Sequence, residues 1–345
     1  MFKVINKIIF FAIFFSSNYS FALNSSSYLI GNSAVNLFDF EKAKSEFLFA
    51  DEKLGETYLH SKLLTYVNLN DFDESQNVAS EILKINKNNQ EAWIVYLANA
   101  KLKNNLQPFE EYLNSKNINR MDLIDYIFFD SNNQIKKSSI IAKSIFEVVR
   151  GSISEDKNQI NYNFLLFYLS VSNYLDPNFH QVHFLTGQIY DILKKYKQAE
   201  LYYKKIKVTD DLYIISQINI AKNKNKIGLY IEAEKSLLNL VNLYKNNKFL
   251  LISLADFYNS EKKYTKAIEH YSSVLTFKDI SLQDKWRIFY MRGICYERIK
   301  KWKLAEKDFL DSLNIKQDSP QVMNYLAYGW LERDQNIDLA MNLLN

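Results

Sequence analysis

Metal binding and nucleophilic catalysis are the first chemistries to consider, because histidine and cysteine side chains carry much of both in proteins. The 345-residue chain has one cysteine, Cys295, and four histidines, His60, His180, His183 and His270. His180 and His183 are one helical turn apart, but a zinc site needs three or four protein ligands and nothing nearby supplies the others. Cys295 has no histidine at helical spacing to activate it. We therefore predict no metal, no cofactor and no catalytic residue, with these side chains serving in packing or at the surface.

Other patterns that carry chemistry are also missing from the sequence. It contains no glycine-rich phosphate loop, no nucleophile elbow and no spaced pair of carboxylates. The formal net charge is +4, and it falls to +2 without Lys3 and Lys7. That charge is too small for a phosphate-binding footprint on a chain of this length. The sequence therefore favours a protein that is not an enzyme and does not bind nucleic acid.

The composition predicts a chain built from helices. It includes only seven glycines and three prolines, whereas a sheet protein needs more of both residues for its turns. The hydrophobic fraction of 48% and the charged fraction of 24% are ordinary for a globular protein. We predict an all-α fold with short polar loops.

The first residues have the pattern of a cleavable secretory signal. Lys3 and Lys7 precede an apolar core at Ile8 to Phe15, and Ser20 and Ala22 place small residues at the two positions that specify cleavage. We predict cleavage after Ala22 and a periplasmic or secreted mature protein; the alternative is an uncleaved anchor. The most apolar later stretch, from Asn163 to Leu175, is shorter than the roughly 18 residues of a membrane span. It is interpreted as a buried helix, so no stable membrane span is expected after signal removal.

Small residues recur at two positions of a regular repeat in the second half of the chain. Successive first positions are 34, 34 and 38 residues apart, the second position follows twelve residues later, and an aromatic residue or leucine follows four after that. The occupants are Gly187, Ala221, Ala255 and Gly293; Ala199, Ala233, Ala267 and Ala305; and Tyr203, Leu237, Tyr271 and Phe309. Only a small residue fits where two helices cross closely, so the pattern predicts a series of helical hairpins.

This pattern resembles the tetratricopeptide repeat, in which small and aromatic positions recur about every 34 residues. The resemblance, which is to the exported or envelope type found in bacteria, implies a helical-hairpin solenoid wound as a right-handed superhelix. A shorter series of matches lies near the start of the chain, where Gly31, Leu63 and Leu97 occupy the first position. A further unit follows Pro320, with Ala327 in the first position and Ala340, one residue late, in the second.

The repeat register divides the sequence into four parts. We predict a signal peptide at 1–22, degenerate repeats at 23–117, an irregular helical connector at 118–178 and a regular array at 179–345 whose last repeat is incomplete. Solenoids normally end in a cap with a polar outer face. Here Trp330, Leu339, Leu343 and Leu344 are expected to lack a covering neighbour. This indicates either a truncated chain or self-association through the uncapped C-terminal repeat.

The resemblance also implies where a partner binds, because these repeats use the concave face formed by the first helix of each hairpin. The residues one, four and five places after the first small position are expected to line it. Those singled out are Gln188, Asp191, Lys222, Asn225, Lys226, Asp256, Asn259, Glu297 and Arg298. Their mixed charges suit a protein or peptide segment, although an ordinary solvated face is the alternative. A clamp for a C-terminal carboxylate is not expected, since Tyr28 and Leu64 stand where that clamp has lysine and asparagine.

The leading hypothesis is a non-catalytic interaction scaffold of the bacterial envelope, which holds a protein or peptide segment in the groove of its repeats. The alternative is the repeat portion of a larger envelope enzyme or assembly machine, truncated at its C-terminus.

Overall fold

The computed structural model describes residues 26–50, 55–116, 122–155 and 160–344. The predicted signal sequence at 1–22 lies outside these residues, so its cleavage stays a prediction. The chain forms two compact units, unit 1 at Met1–Ile189 and unit 2 at Tyr190–Asn345.

Helices account for nearly all of the described structure. Unit 1 contains helix α1 at 26–36 and nine more that lie wholly or mostly within it: α2 Phe40–Phe47, α3 Glu56–Asn68, α4 Phe72–Ile85, α5 Gln90–Leu102, α6 Gln107–Lys116, α7 Asp122–Phe128, α8 Ser138–Glu155, α9 Tyr162–Leu175 and α10 His180–Ile192. The division between the units falls near the end of α10. A single β-bridge joins Phe129 and Ile135 between α7 and α8, and no longer strand occurs in the described residues.

Unit 2 continues as an unbroken series of helices, each packed against the next. They are α11 Tyr196–Tyr203, α12 Tyr213–Lys226, α13 Tyr230–Leu243, α14 Lys248–Ser260, α15 Tyr264–Leu275, α16 Leu282–Arg298, α17 Trp302–Ile315, α18 Pro320–Leu331 and α19 Ile337–Leu344. The predicted all-α fold of repeated helical hairpins is confirmed.

The turn within each hairpin has the same backbone conformation at the same register position. A residue seven places after the first small position adopts the left-handed conformation, with φ between 51° and 83°. These residues are Phe38, Asn70, Asn104, Lys194, Gly228, Lys262, Lys300 and Asp334. The next residue donates its N–H to the carbonyl five residues earlier, as when Lys263 bonds to Tyr258 at 2.8 Å, which is the Schellman ending of a helix. The register therefore holds in the degenerate early repeats as well as in the later ones.

The small residues lie where the helices cross, as predicted. Ala199, Ala233, Ala267 and Ala305 are all fully buried. A Cβ atom added to Gly293 would lie 2.7 Å from the ring of Phe309, too close for any real contact. The aromatic residue of a hairpin therefore packs against the small residue of the same hairpin.

Helix α9 does not belong to a hairpin of the regular kind. It packs against α8 and also against α3 and α5, the first helices of the second and third hairpins. Its residues from Leu165 to Ser172 are all buried, because neighbours cover it on several sides. This agrees with its interpretation as a buried helix rather than a membrane span.

One expectation for the last repeat is wrong. Trp330 is only 5% exposed, because it packs in a cluster with Trp302 and Phe309 and its indole N–H donates to Glu306 at 2.6 Å. Leu343 and Leu344 are partly buried against the same cluster. Leu339 is 54% exposed, as expected.

Candidate interaction surface

The surface formed by the first helices of the hairpins, here called the first-helix face, is covered by α9 at α3 and α5 of unit 1. Tyr174 of α9 donates to Asn99 at 2.9 Å and stacks on Phe72 with 3.7 Å between ring centroids. Ser170 contacts Asn68 at 3.5 Å. A helix of the chain itself therefore occupies the face on which this kind of repeat is expected to bind a partner.

Residues of α3 and α5, the two first helices that α9 packs against, are buried at expected groove positions. Val67 lies four places after the first small position of its hairpin and Ala98 one place after, and both are fully buried. At the same two register positions of unit 2, Lys222 is exposed, and Asn225 and Glu297 are partly exposed. The first-helix face is thus open in unit 2.

Two of the predicted groove carboxylates are held by partners within unit 2. Asp191 accepts hydrogen bonds from the Tyr203 hydroxyl at 2.7 Å and from the amide of Asn223. Burial, and then this hydrogen bond to Asp191, raise the pKa of Tyr203 well above its usual range. The phenol therefore stays protonated and keeps donating to the carboxylate.

Asp256 has an equivalent partner and a cation as well. The Tyr271 hydroxyl donates to Oδ1 at 2.6 Å, and the Arg287 guanidinium donates to Oδ2 at 2.5 Å. Burial and the neighbouring Asp256 raise the pKa of Tyr271 above its usual range. Tyr203 and Tyr271 both occupy the aromatic position of their hairpins, so the same position that packs the helix crossing also fixes a groove carboxylate.

A cavity of about 220 Å³ lies between the first helices α12 and α14, and is called the α12–α14 cavity below. It brings together four of the residues singled out from the sequence, a fifth residue that follows the same rule, Ser260, and three that were not predicted. The lining consists of Lys222, Asn225, Lys226, Leu237, Ser253, Asp256, Phe257 and Ser260.

A second cavity, of about 270 Å³, occupies the equivalent place between α16 and α18. It includes the predicted Glu297 and Arg298, whose charged groups are 3.6 Å apart. The other lining residues are Asn324, Tyr325, Tyr328, Gly329 and Glu332. Both linings include the residues four and five places after the small residue of one first helix, and those one, two and five places after the small residue of the next.

The remaining predicted residues do not line either of these cavities. Gln188 is exposed, whereas Asp191 and Asn259 are partly exposed. The prediction missed Ser253 and Tyr325, which both lie two places before the first small position. That recurrence is a signal in the sequence which extends the lining rule.

A larger cavity, of about 650 Å³, lies in unit 1 between α4, α5 and α6. Its polar aromatic atoms already have partners: the indole N–H of Trp93 donates to the Lys87 carbonyl at 2.9 Å, and Tyr96 donates to Glu111 at 3.4 Å. None of its lining side chains has a buried polar atom without a partner, as far as the described residues show.

The cysteine and two of the histidines contact neighbouring groups within the fold. Cys295 is buried, and burial raises its pKa to about 12, which removes the reactive thiolate. His183 contacts the Pro177 carbonyl at 3.0 Å, and His270 stacks on Tyr258 with 5.5 Å between centroids. Across the described ranges, no three His, Cys, Asp or Glu side chains are grouped so that they could hold a metal ion.

None of the helices in the four described ranges combines the length and the apolar character needed to cross a bilayer.

Comparison with known proteins places a tetratricopeptide repeat at residues 180–206, which carry α10 and α11. This confirms the predicted repeat type at that hairpin. No curated protein matched the chain.

Several solved structures resemble the chain. MamA 41-end from Desulfovibrio magneticus RS-1 is 12% identical over 48% of this chain and 90% of that one, with a TM-score of 0.40. Another MamA crystal structure is 16% identical over 46% and 89%, with a TM-score of 0.38. The APC/C hetero-tetramer Cut9–Hcn1 is 15% identical over 88% and 55%, with a TM-score of 0.43. At these identities and scores the resemblance says nothing about function or partners.

Proposed function

We propose that this protein is a non-catalytic scaffold which holds a segment of another protein on the first-helix face of unit 2. One contrast supports the proposal most directly. Val67 and Ala98 lie on the two first helices that α9 packs against and are buried, whereas Lys222 and Arg298 of unit 2 line open cavities. In unit 1 the chain's own helix α9 packs on this face. In unit 2 the face is open, so it is suited to a segment supplied by a partner.

The non-catalytic part of the proposal rests on the state of the polar groups. Asp191 is held by Tyr203, and Asp256 is held by Tyr271 and Arg287. A carboxylate fixed in this way orients a surface and is not poised to transfer a proton.

The scaffold is further proposed to act in the bacterial envelope, after export and cleavage following Ala22. The predicted signal pattern is the only support for this location. Fractionation of cells that express a C-terminally tagged chain tests it, together with sequencing of the mature N-terminus. Recovery in the periplasm with a terminus at Leu23 is expected; an intact N-terminus in the cytoplasm would refute the location.

The binding proposal is tested by photo-crosslinking in cells. A benzophenone amino acid is placed at Ser260, in the α12–α14 cavity, and at Lys235, which is exposed on the second helix of a neighbouring hairpin. We expect a discrete partner band from position 260 and none from position 235. Equal yields from both positions would refute a specific binding face, and bands containing only copies of the chain would replace the scaffold with self-association.

A further inference from the structure

The α12–α14 cavity carries uncompensated positive charge. Lys222 and Lys226 are exposed, and neither has an ion-pair partner in the described part of the chain. The Lys226 ammonium instead lies over the Tyr196 ring, 5.0 Å from its centroid. The one carboxylate of the cavity, Asp256, is already neutralised by Arg287 at 2.5 Å. The sequence predicted a mixture of charges on this face, but the α12–α14 cavity therefore has an excess of two cations.

The same cavity has an apolar lining below its charged rim. Leu237 and Phe257 are buried and contribute to the lining. The volume of about 220 Å³ is smaller than the roughly 300–1,000 Å³ of pockets that enclose a whole small ligand. It is therefore suited to one apolar side chain of a longer molecule.

A buried acceptor without a donor provides a third, independent feature. Oδ1 of Asn225 is buried and accepts no hydrogen bond from the described residues. Its Nδ2 atom donates to Ser260 at 3.1 Å, which fixes the amide across the cavity between α12 and α14. An unsatisfied buried acceptor is costly, and a backbone N–H of a bound peptide would satisfy it.

We propose that the α12–α14 cavity recognises an acidic protein segment in which one apolar side chain is flanked by aspartate or glutamate. The apolar side chain packs against Leu237 and Phe257, the flanking carboxylates pair with Lys222 and Lys226, and a backbone N–H bonds to Asn225. This specificity rests on the proposed scaffold function. A nucleic-acid strand fits less well, because two cations are few for a phosphate backbone and the lining offers no exposed ring for a base to stack on.

The first test measures binding of short fluorescent peptides to the purified full chain by anisotropy. The probe is a capped Asp-Glu-Leu-Glu-Asp peptide, and its controls replace the acidic residues by lysine or the leucine by alanine. We expect the acidic leucine peptide to bind about tenfold tighter than either control, and to weaken as salt is added. Equal binding of the acidic and basic peptides, or tighter binding of an oligothymidine, would overturn the proposal.

The second test assigns the binding to the two lysines. Lys222→Gln with Lys226→Gln removes both cations, and Lys235→Gln with Lys245→Gln removes two exposed cations from another surface. We expect the first pair of substitutions to weaken binding of the acidic peptide about tenfold and to reduce the salt dependence of that binding, because two ion pairs are lost. The second pair of substitutions is expected to leave the affinity and its salt dependence unchanged. Equal effects of the two pairs would overturn the assignment.

The crosslinking experiment separates failure of this inference from failure of the scaffold function. If the partner band from position 260 persists in the Lys222→Gln, Lys226→Gln variant, the scaffold function stands and the acidic specificity falls. If no partner band forms from position 260 in the chain that keeps both lysines, the scaffold function itself is refuted. Loss of the band only in the lysine variant supports both.

Discussion

Replacing Lys262 by glycine should stabilise unit 2, whereas replacing Gly228 by alanine should destabilise it. The two residues occupy the same register position in successive hairpins, with φ of 58° at Lys262 and 83° at Gly228. A residue with a Cβ atom pays about 1–2 kcal/mol in this left-handed conformation. Glycine avoids that strain, but it loses more conformational freedom on folding, which lowers stability by roughly 0.5–1 kcal/mol.

The difference between this strain and the entropy cost of glycine gives the expected changes in the free energy of unfolding. Lys262→Gly should raise the free energy of unfolding by about 0.5–1 kcal/mol, and Gly228→Ala should lower it by a similar amount. A Cβ added at Gly228 meets no atom within 4 Å, so the effect there is a matter of backbone conformation alone. Urea denaturation followed by circular dichroism measures both. A destabilising Lys262→Gly or a stabilising Gly228→Ala would refute the assigned turn.

Further predictions concern packing, hydrogen bonding and pH. Ala267→Leu should cost roughly 1–3 kcal/mol of stability by overpacking the helix crossing, whereas Asn259→Ala should cost about 0.5 kcal/mol or less; equal losses in denaturation would contradict the register. Tyr271→Phe should cost about 1.5–3 kcal/mol because it removes the hydrogen bond to the Asp256 carboxylate, and an unchanged midpoint would deny that bond a role in stability. Burial lowers the pKa of His270 from its ordinary value, about 6.5 in the unfolded chain, so the unfolded state binds more protons and stability should fall as the pH drops below about 6.5. His270→Gln should reduce that dependence, and an identical pH profile for both proteins would exclude His270 as its source.

The hairpin register could be predicted from sequence because it depends on local spacing. Gly293 and Phe309 lie sixteen residues apart and touch within one hairpin, so their types reveal the contact. The turn residues were only partly predictable. Asn70 and Gly228 are types that favour the left-handed conformation, but Lys262 is not, and only the hairpin geometry places it there.

The state of the binding face could not be predicted, since it depends on contacts between distant residues. Ser170 meets Asn68 across 102 positions of the chain, and no periodic pattern connects α9 with α3. Arg287 neutralises Asp256 from 31 residues away. The sequence alone could not show this ion pair, so it predicted a face of mixed charge. The residue types of the lining were predictable, but not which of its charges stay free.

We propose that the first-helix face binds a partner in unit 2, whereas the chain's own α9 covers it at α3 and α5 in unit 1. It is tested most directly by placing a photo-crosslinking residue at Asn68 and at Lys226, which both lie five places after the first small position. Crosslinked peptides are then identified by mass spectrometry. We expect position 68 to react only with α9 of the same chain and position 226 to capture another protein. Capture of the same partner from position 68, or reaction of neither position with a partner, would contradict the account.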